Sequence, residues 1–423
     1  MNSRERLAAT LNHQEPDRLC VDFGAGFQTG VGIVAAHRLR QAVLGQNGRP
    51  VKVIEPYQML GEIDEDLRRA LGLDVVGVHG PGTMFGFKNQ DWKPLVMFDA
   101  TPTLVPGKFN VTLAEDGGWH IYPEGDTAVL PSGWMPKGSY FFDSTHRQQP
   151  IDESHLTPAD NCEEFGVISD EEVQFFARAA RNYHQNTSYG IYMTLPGTAF
   201  GDIALVPAPW LKHPKGIRGV TEWYMATAQN RNYVLKVFER QLEFALENIQ
   251  LLAAAVGNCV QVVFVSGTDF GTQTSQFCSV KTYRELYKPF HKAVNAQIHR
   301  LTKWKTFIHS CGAILPFIPE FIDAGFDVLN PVQCSATGMD PKMLKREFGK
   351  QIVFWGGGVD TQRTLPFGTP DEVYREVRER IEVFAPGGGF VFNSTHNVQS
   401  NVPIENLLAM FRAVNDSRNE QRT

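Results

Sequence analysis

Eight short runs rich in β-branched and aromatic residues, separated mostly by amphipathic stretches of helical length, restrict this chain to a parallel sheet covered by helices. The runs are RLCVDF (18–23), DVVGV (74–78), GIYMTL (190–195), VQVVFV (260–265), KTFIH (305–309), DVLNP (327–331), IVFWG (352–356) and GFVFN (389–393). Between them lie segments such as YVLKVFERQLEFALENIQLLAAAVG and DEVYREVRERIEVFA, whose apolar residues recur with the helical period. Eight strand–helix units predict a closed (β/α)8 TIM barrel, here a single barrel domain over residues 1–423. The competing architecture is an open doubly wound sheet. Its first strand-to-helix turn would normally carry a glycine-rich phosphate loop, and GxGxxG is absent from the sequence.

One stretch departs from the alternation. From Pro81 to about Asp160 the chain is rich in Gly, Pro, Trp, Phe and Tyr and shows turn signals without helical period. It is expected to be an insertion of short antiparallel strands after the second barrel strand. Its aromatics would then form either a satellite core or a lid over the barrel mouth.

Charge and cysteine usage narrow the function classes. Forty Lys and Arg residues against forty-six Asp and Glu give a formal charge of −6, with no basic cluster suited to a phosphate backbone, so nucleic acid is not an expected partner. The start, MNSRERLAATLNHQEPDR, lacks the apolar core of a signal peptide, and no run approaches the roughly 20 apolar residues that span a bilayer. A cytoplasmic enzyme with no membrane partner is expected. Cys20, Cys162, Cys259, Cys278, Cys311 and Cys334 have no regular spacing, which argues against a disulfide framework.

In a barrel, functional groups project from the C-terminal ends of the strands. Those ends are polar here: Ser266, Thr268 and Asp269 after the fourth run, His309, Ser310 and Cys311 after the fifth, and Asn330, Gln333 and Cys334 after the sixth. The seventh supplies Gly356 to Gly358 and Asp360, and the eighth Asn393, Ser394, Thr395 and His396. Asn330, Gln333, Asp360 and Asn393 are the candidate substrate-binding residues, acting on a small-molecule substrate. GGGVD can cradle an anion with its backbone N–H groups or can simply require positive φ.

His309 and Cys311 stand two apart at a strand end, so their side chains leave on the same side and can grip one ion. An imidazole and a thiolate suit zinc, whose catalytic sites take three protein ligands and keep a position open. The other reading of His309 is a hydrogen-bonded structural histidine. By position, the third ligand would be His396, Cys334 or Asp269. Asp269 has two further readings, as a general base or substrate anchor and as a carboxylate capping its own turn.

The segments HSCGAILPFIPEFIDAGFDVLNPVQ, FWGGGVDTQRTLPFGTP and APGGGFVFNSTHNVQSNVPIENLLAMF resemble the C-terminal half of the uroporphyrinogen decarboxylase superfamily. MNSRERLAATLNHQEPDR, VKVIEPYQMLGEIDEDLRRALGLDVVGV and DFGTQTSQFCSVKTYRELYKPFHK are similar to it as well, so the resemblance runs over nearly the whole chain. It implies the same (β/α)8 barrel. True uroporphyrinogen decarboxylases hold a polycarboxylate tetrapyrrole with an arginine-bearing RQAGR-type loop after the first strand. This chain has VDFGAGFQTG there, and no arginine follows until Arg38.

The resemblance therefore points to the other branch, the cobamide-dependent methyltransferases, which bind zinc through an HxC pair and a later Cys. His309 and Cys311 match the pair. Where the family places its final Cys, this sequence has His396, which implies a His2Cys set, with Cys334 as the fallback ligand. The implied activity is a zinc-dependent methyl transfer or demethylation with a corrinoid on a separate partner protein. The alternative is a metal-free decarboxylase of a smaller carboxylic acid that uses Asp269 as its key acid. A homo-oligomer is compatible with either.

Overall fold

A computed structural model describes residues 1–45, 48–152 and 155–420. Each of the eight runs contains one strand of a parallel barrel: β1 (Cys20–Val21), β2 (Val75–Val78), β3 (Gly190–Thr194), β4 (Val262–Ser266), β5 (Lys305–His309), β6 (Val328–Asn330), β7 (Val353–Trp355) and β8 (Phe390–Phe392). Hydrogen-bonded neighbours run in chain order from β2 to β8, and β8 pairs in turn with β1. The chain folds as a (β/α)8 TIM barrel.

Strands covered on both faces carry apolar residues at every position, which is why the runs lack strict alternation. Val262, Phe307, Val328 and Val353 pack inside the barrel, while their neighbours Val263, Ile308, Leu329 and Phe354 pack outward against the helices. Tyr192, Phe307 and Trp355 meet in the interior at ring separations of 5.5 to 6.4 Å. The first helix, Ser3–Leu11, contributes Leu7 and Leu11 to the same interior cluster. Gly190 permits this close approach, since a Cβ there would stand 2.3 Å from the Leu7 side chain.

The seam between β1 and β2 is closed by one side chain. Asp74 donates its backbone N–H to the Val21 carbonyl at 2.8 Å and accepts the Val21 N–H on its carboxylate at 3.0 Å. That carboxylate is fully buried and also binds Arg6, Arg18 and Arg418 at 2.7, 2.9 and 3.0 Å. The charge is therefore well paired. Through it the first helix and the last one, Ile404–Glu420, are tied to the seam.

The segment after β2 holds two small sheets. One is wholly antiparallel, in the order Asp143–Ser144, Gly133–Met135, Trp119–Ile121, Val111–Leu113. The other is mixed. It draws Val51–Glu55 and Leu60–Gly61 from before β2, and Val51–Glu55 runs parallel to Pro102–Val105. The short strands expected between Pro81 and Asp160 are present, and VKVIE, which alternates buried and half-buried positions, joins them from before β2 in a parallel pairing that the sequence did not indicate. Phe85, Phe87, Phe109 and Phe142 pack together, with ring centroids 5.8 to 6.4 Å apart, and are continuous with the hydrophobic core outside the barrel strands. Met84, Phe141 and Phe142 also wall the cavity described below. Among the described residues, no helix is long and apolar enough to cross a membrane.

Candidate metal centre and cavity

His309 ends β5 and lies two residues beyond Phe307, so the pleat carries its ring onto the inner side at the mouth. Its Nδ1 is 2.6 Å from Oδ1 of Asn330, its ladder partner at the end of β6. The Asn330 amide donates from Nδ2 to the Trp355 carbonyl at 2.8 Å. With the amide nitrogen committed to a carbonyl, the amide oxygen must accept, so the His309 proton resides on Nδ1 and the Nε2 lone pair is free. Nε2 stands 3.3 Å from Cys311 Sγ.

His396 follows β8 and brings its ring to 5.2 Å from that of His309, at 74°. The ligand atoms of His309, Cys311 and His396 all lie within 4.8 Å of one another, and among the described residues no other such group of His, Cys and carboxylate side chains occurs. Zinc–nitrogen and zinc–sulfur bonds of about 2.0–2.3 Å at tetrahedral angles need ligand atoms roughly 3.5 Å apart, so a slight contraction suffices. The donor set fits the ion.

Burial disfavours the charged form of each of the three side chains. Burial lowers the pKa of His309 to about 4, and burial together with the nearby His309 lowers His396 to about 4, so both rings are neutral donors at ordinary pH. Burial and the adjacent Asp269 push the Cys311 thiol well above its usual range. A divalent ion reverses that balance by stabilising the thiolate directly.

The turn that carries Cys311 is braced on both sides. Asp269 accepts the Cys311 N–H at 2.7 Å, and Gln333 accepts the Gly312 N–H at 2.8 Å. Gly312 has φ +90°, and a Cβ on it would lie 2.5 Å from the Gly271 backbone. Only glycine fits at that crossing. Burial raises the Asp269 pKa, opposed by its bond to Cys311.

The structure distributes the remaining expected site residues differently from one another. Asn330, fully buried, orients His309, and Gln333 supports the HSCG turn. Asn393 is also fully buried and donates to the Asp22 carbonyl at 3.0 Å. Asp360 caps its own turn by accepting the Gln362 and Arg363 N–H groups at 2.6 and 2.9 Å. None of these four lines the cavity, whereas Asp269, His309 and His396 do. Cys334 points its thiol at the Val332 carbonyl, 3.5 Å away, and burial raises it to about 11. It is not in the cluster.

The cavity over the centre has a volume of about 630 Å³. Four carboxyl groups away from the expected strand ends line it, Glu55, Asp143, Glu164 and Asp202, and burial shifts two of them strongly. Glu55 accepts the Tyr57 and Gln58 N–H groups on its two oxygens at 2.9 and 2.7 Å, and burial raises it to about 7. Asp202, in the loop after β3, accepts the Ala204 N–H at 3.0 Å, and burial likewise raises it to about 7. Neither sits at a strand end of the barrel: Glu55 ends a strand of the smaller mixed sheet and Asp202 lies in a loop.

Two histidines and a cysteine thus converge at the mouth of a parallel barrel, a donor set of the kind that can hold a metal ion. The model of the uroporphyrinogen decarboxylase (URO-D) family matches residues 203–417, just over half of the chain, and the chain belongs to that family. A curated relative, the methylated-thiol–coenzyme M methyltransferase of Methanosarcina mazei, is 26% identical over 144 residues, which are 34% of this chain and 35% of the relative. The chain thus matches about a third of that relative's length. The solved structure of a methyltransferase from Methanosarcina mazei superposes with a TM-score of 0.55 over 98% of this chain and 99% of the other, at 16% identity, a likeness of fold.

Proposed function

We propose that this chain is a zinc-dependent methyltransferase whose ion is held by His309, Cys311 and His396. The observation that carries the reading is the convergence of these three donors, with Nε2 of His309 freed by Asn330 and with His309 and His396 lining a cavity of about 630 Å³. A zinc ion bound there would lower the pKa of a thiol or water so that a nucleophile exists at neutral pH. The chain's own residues do the rest. Asn330 keeps the His309 proton on Nδ1, Asp269 holds the Cys311 backbone, and aromatic side chains wall the space beside the ligand set.

The methyl carrier in this reading is a corrinoid on a separate protein, as the family resemblance implies. The two named relatives, both methyltransferases, support the activity. A metal-free decarboxylase acting on a polycarboxylate finds less support. Arg218 is the one guanidinium lining the cavity among the described residues, and it is bound to Glu164. Elemental analysis of protein never exposed to chelator is expected to give close to one zinc per chain. Essentially no zinc after zinc-supplemented expression would sink the proposal.

A further inference from the structure

The cavity is lined by more acidic side chains than basic ones. Glu55, Asp143, Glu164, Asp202 and Asp269 line it, against the single guanidinium of Arg218. Arg218 grips Glu164 through two bonds of 2.8 and 3.0 Å, so it offers no free charge to a ligand. A dication with one thiolate ligand would add only a single net positive charge, fewer than the unpaired carboxyl groups could balance.

Asp202 lines the cavity in the loop after β3. One of its oxygens accepts the Ala204 N–H, and the other faces Gly267, where a Cβ would lie 2.6 Å from it. That glycine keeps the carboxylate clear. Phe27, Tyr57, Phe142, Trp210, Trp223 and Phe264 supply aromatic surface on the same cavity. Ring faces attract a positive charge, and they do so best when the charge is clothed in alkyl groups that carry little hydration to be stripped away. An anion would meet the opposite: buried carboxylates and no unpaired cation.

We propose that the cavity takes a small organic cation, an alkylated ammonium or sulfonium group, with Asp202 as its charge partner and the aromatic wall around its alkyl groups. The inference rests on reading this cavity as the substrate site of the proposed methyltransferase, and it names the class of ligand that site selects. The raised pKa of Asp202 agrees with it, because an empty acidic cavity favours the proton that a bound cation would displace.

The test is binding, read by calorimetry and by the fluorescence of Trp210 and Trp223 on the full chain as purified. The probes are tetramethylammonium, tert-butanol as a neutral body of similar size, and methanesulfonate as an anion. Tetramethylammonium is expected to bind at least about tenfold more tightly than tert-butanol, and methanesulfonate not at all. Asp202→Asn is expected to lose about tenfold or more of the cation affinity and to leave tert-butanol unaffected. If that variant does not fold, Trp210→Leu, on a half-buried wall position, should weaken the cation several-fold and the alcohol little.

Equal affinity for the three probes, preference for the anion, or no binding of any probe would overturn the inference. So would unchanged cation binding in Asp202→Asn, since an amide can donate a hydrogen bond as a protonated carboxyl does but cannot supply a charge. Zinc is measured in the same samples. Normal zinc with no cation preference removes this inference alone, whereas cation preference in a protein that never holds zinc removes the methyltransferase reading alone.

Discussion

Asn330 fixes the proton of His309: its amide nitrogen is bound to the Trp355 carbonyl, so its oxygen, 2.6 Å from Nδ1, can only accept. Three consecutive strand ends, those of β5, β6 and β7, are joined by this one side chain. Removing it frees the imidazole to rotate and to change tautomer. Asn330→Ala is expected to weaken zinc binding about 10–100-fold while the protein remains folded. Competition with a chromophoric chelator measures the affinity, and unchanged affinity would show that His309 needs no such orientation or is no ligand.

The third ligand is decided by comparing two variants. His396 stands with His309 and Cys311, whereas the Cys334 thiol is turned to the Val332 carbonyl. His396→Ala is expected to lose at least about 10–100-fold in zinc affinity, since it removes a direct bond. Cys334→Ala should lose much less. The reverse order would move His396 out of the ligand set and make it a candidate for binding substrate.

The seam is expected to be the costliest place to lose a charge. Asp74 is fully buried between Arg6, Arg18 and Arg418, and it also completes the β1–β2 hydrogen bonding. Asp74→Ala leaves guanidinium groups buried without a partner, at a cost of about 3–5 kcal/mol. Chemical denaturation followed by far-UV circular dichroism reads this out. A change below 1 kcal/mol would mean that water reaches the arginines once the carboxylate is gone.

Glu55 gives a pH dependence with a definite sign. Burial raises its pKa from 4.5 in the unfolded chain to about 7 in the fold. Between those values the folded state holds more protons than the unfolded one, so this group's contribution to stability falls as pH rises from 4.5 to 7 and is constant outside that window. Glu55→Gln is expected to flatten the profile across the window, although its amide keeps only one of the two acceptors used by Tyr57 and Gln58. Denaturation midpoints of both proteins at several pH values test it, and parallel profiles would show that Glu55 is ionised in the fold.

Uroporphyrinogen is expected to be neither bound tightly nor decarboxylated. The segment after β1 carries no arginine before Arg38, and Arg218 in the cavity is already bound to Glu164. Each buried carboxylate of such a substrate would therefore lack a partner. Turnover to coproporphyrinogen at an ordinary enzymatic rate would reverse the ranking of the two activities.

The sequence by itself determined the barrel and pointed to all three residues of the candidate metal centre, His309 and Cys311 by their spacing and His396 by the family resemblance. Strand and helix periods are local, so eight apolar runs among amphipathic segments sufficed for the architecture, and the two-residue spacing of His309 and Cys311 put both on one side of a strand end. Tertiary structure decided what depends on contacts between distant segments. It brought His396 to the pair, turned Asn330 onto His309, and set Gln333 under the HSCG turn. It also drew Val51–Glu55 into a sheet with residues beyond β2, and so delivered Glu55 to the same cavity as Asp202. A strand end shows which residues reach the mouth, but whether a polar side chain there faces a ligand or the protein depends on which donors and acceptors stand opposite it, and those are supplied by other strands once the barrel has closed.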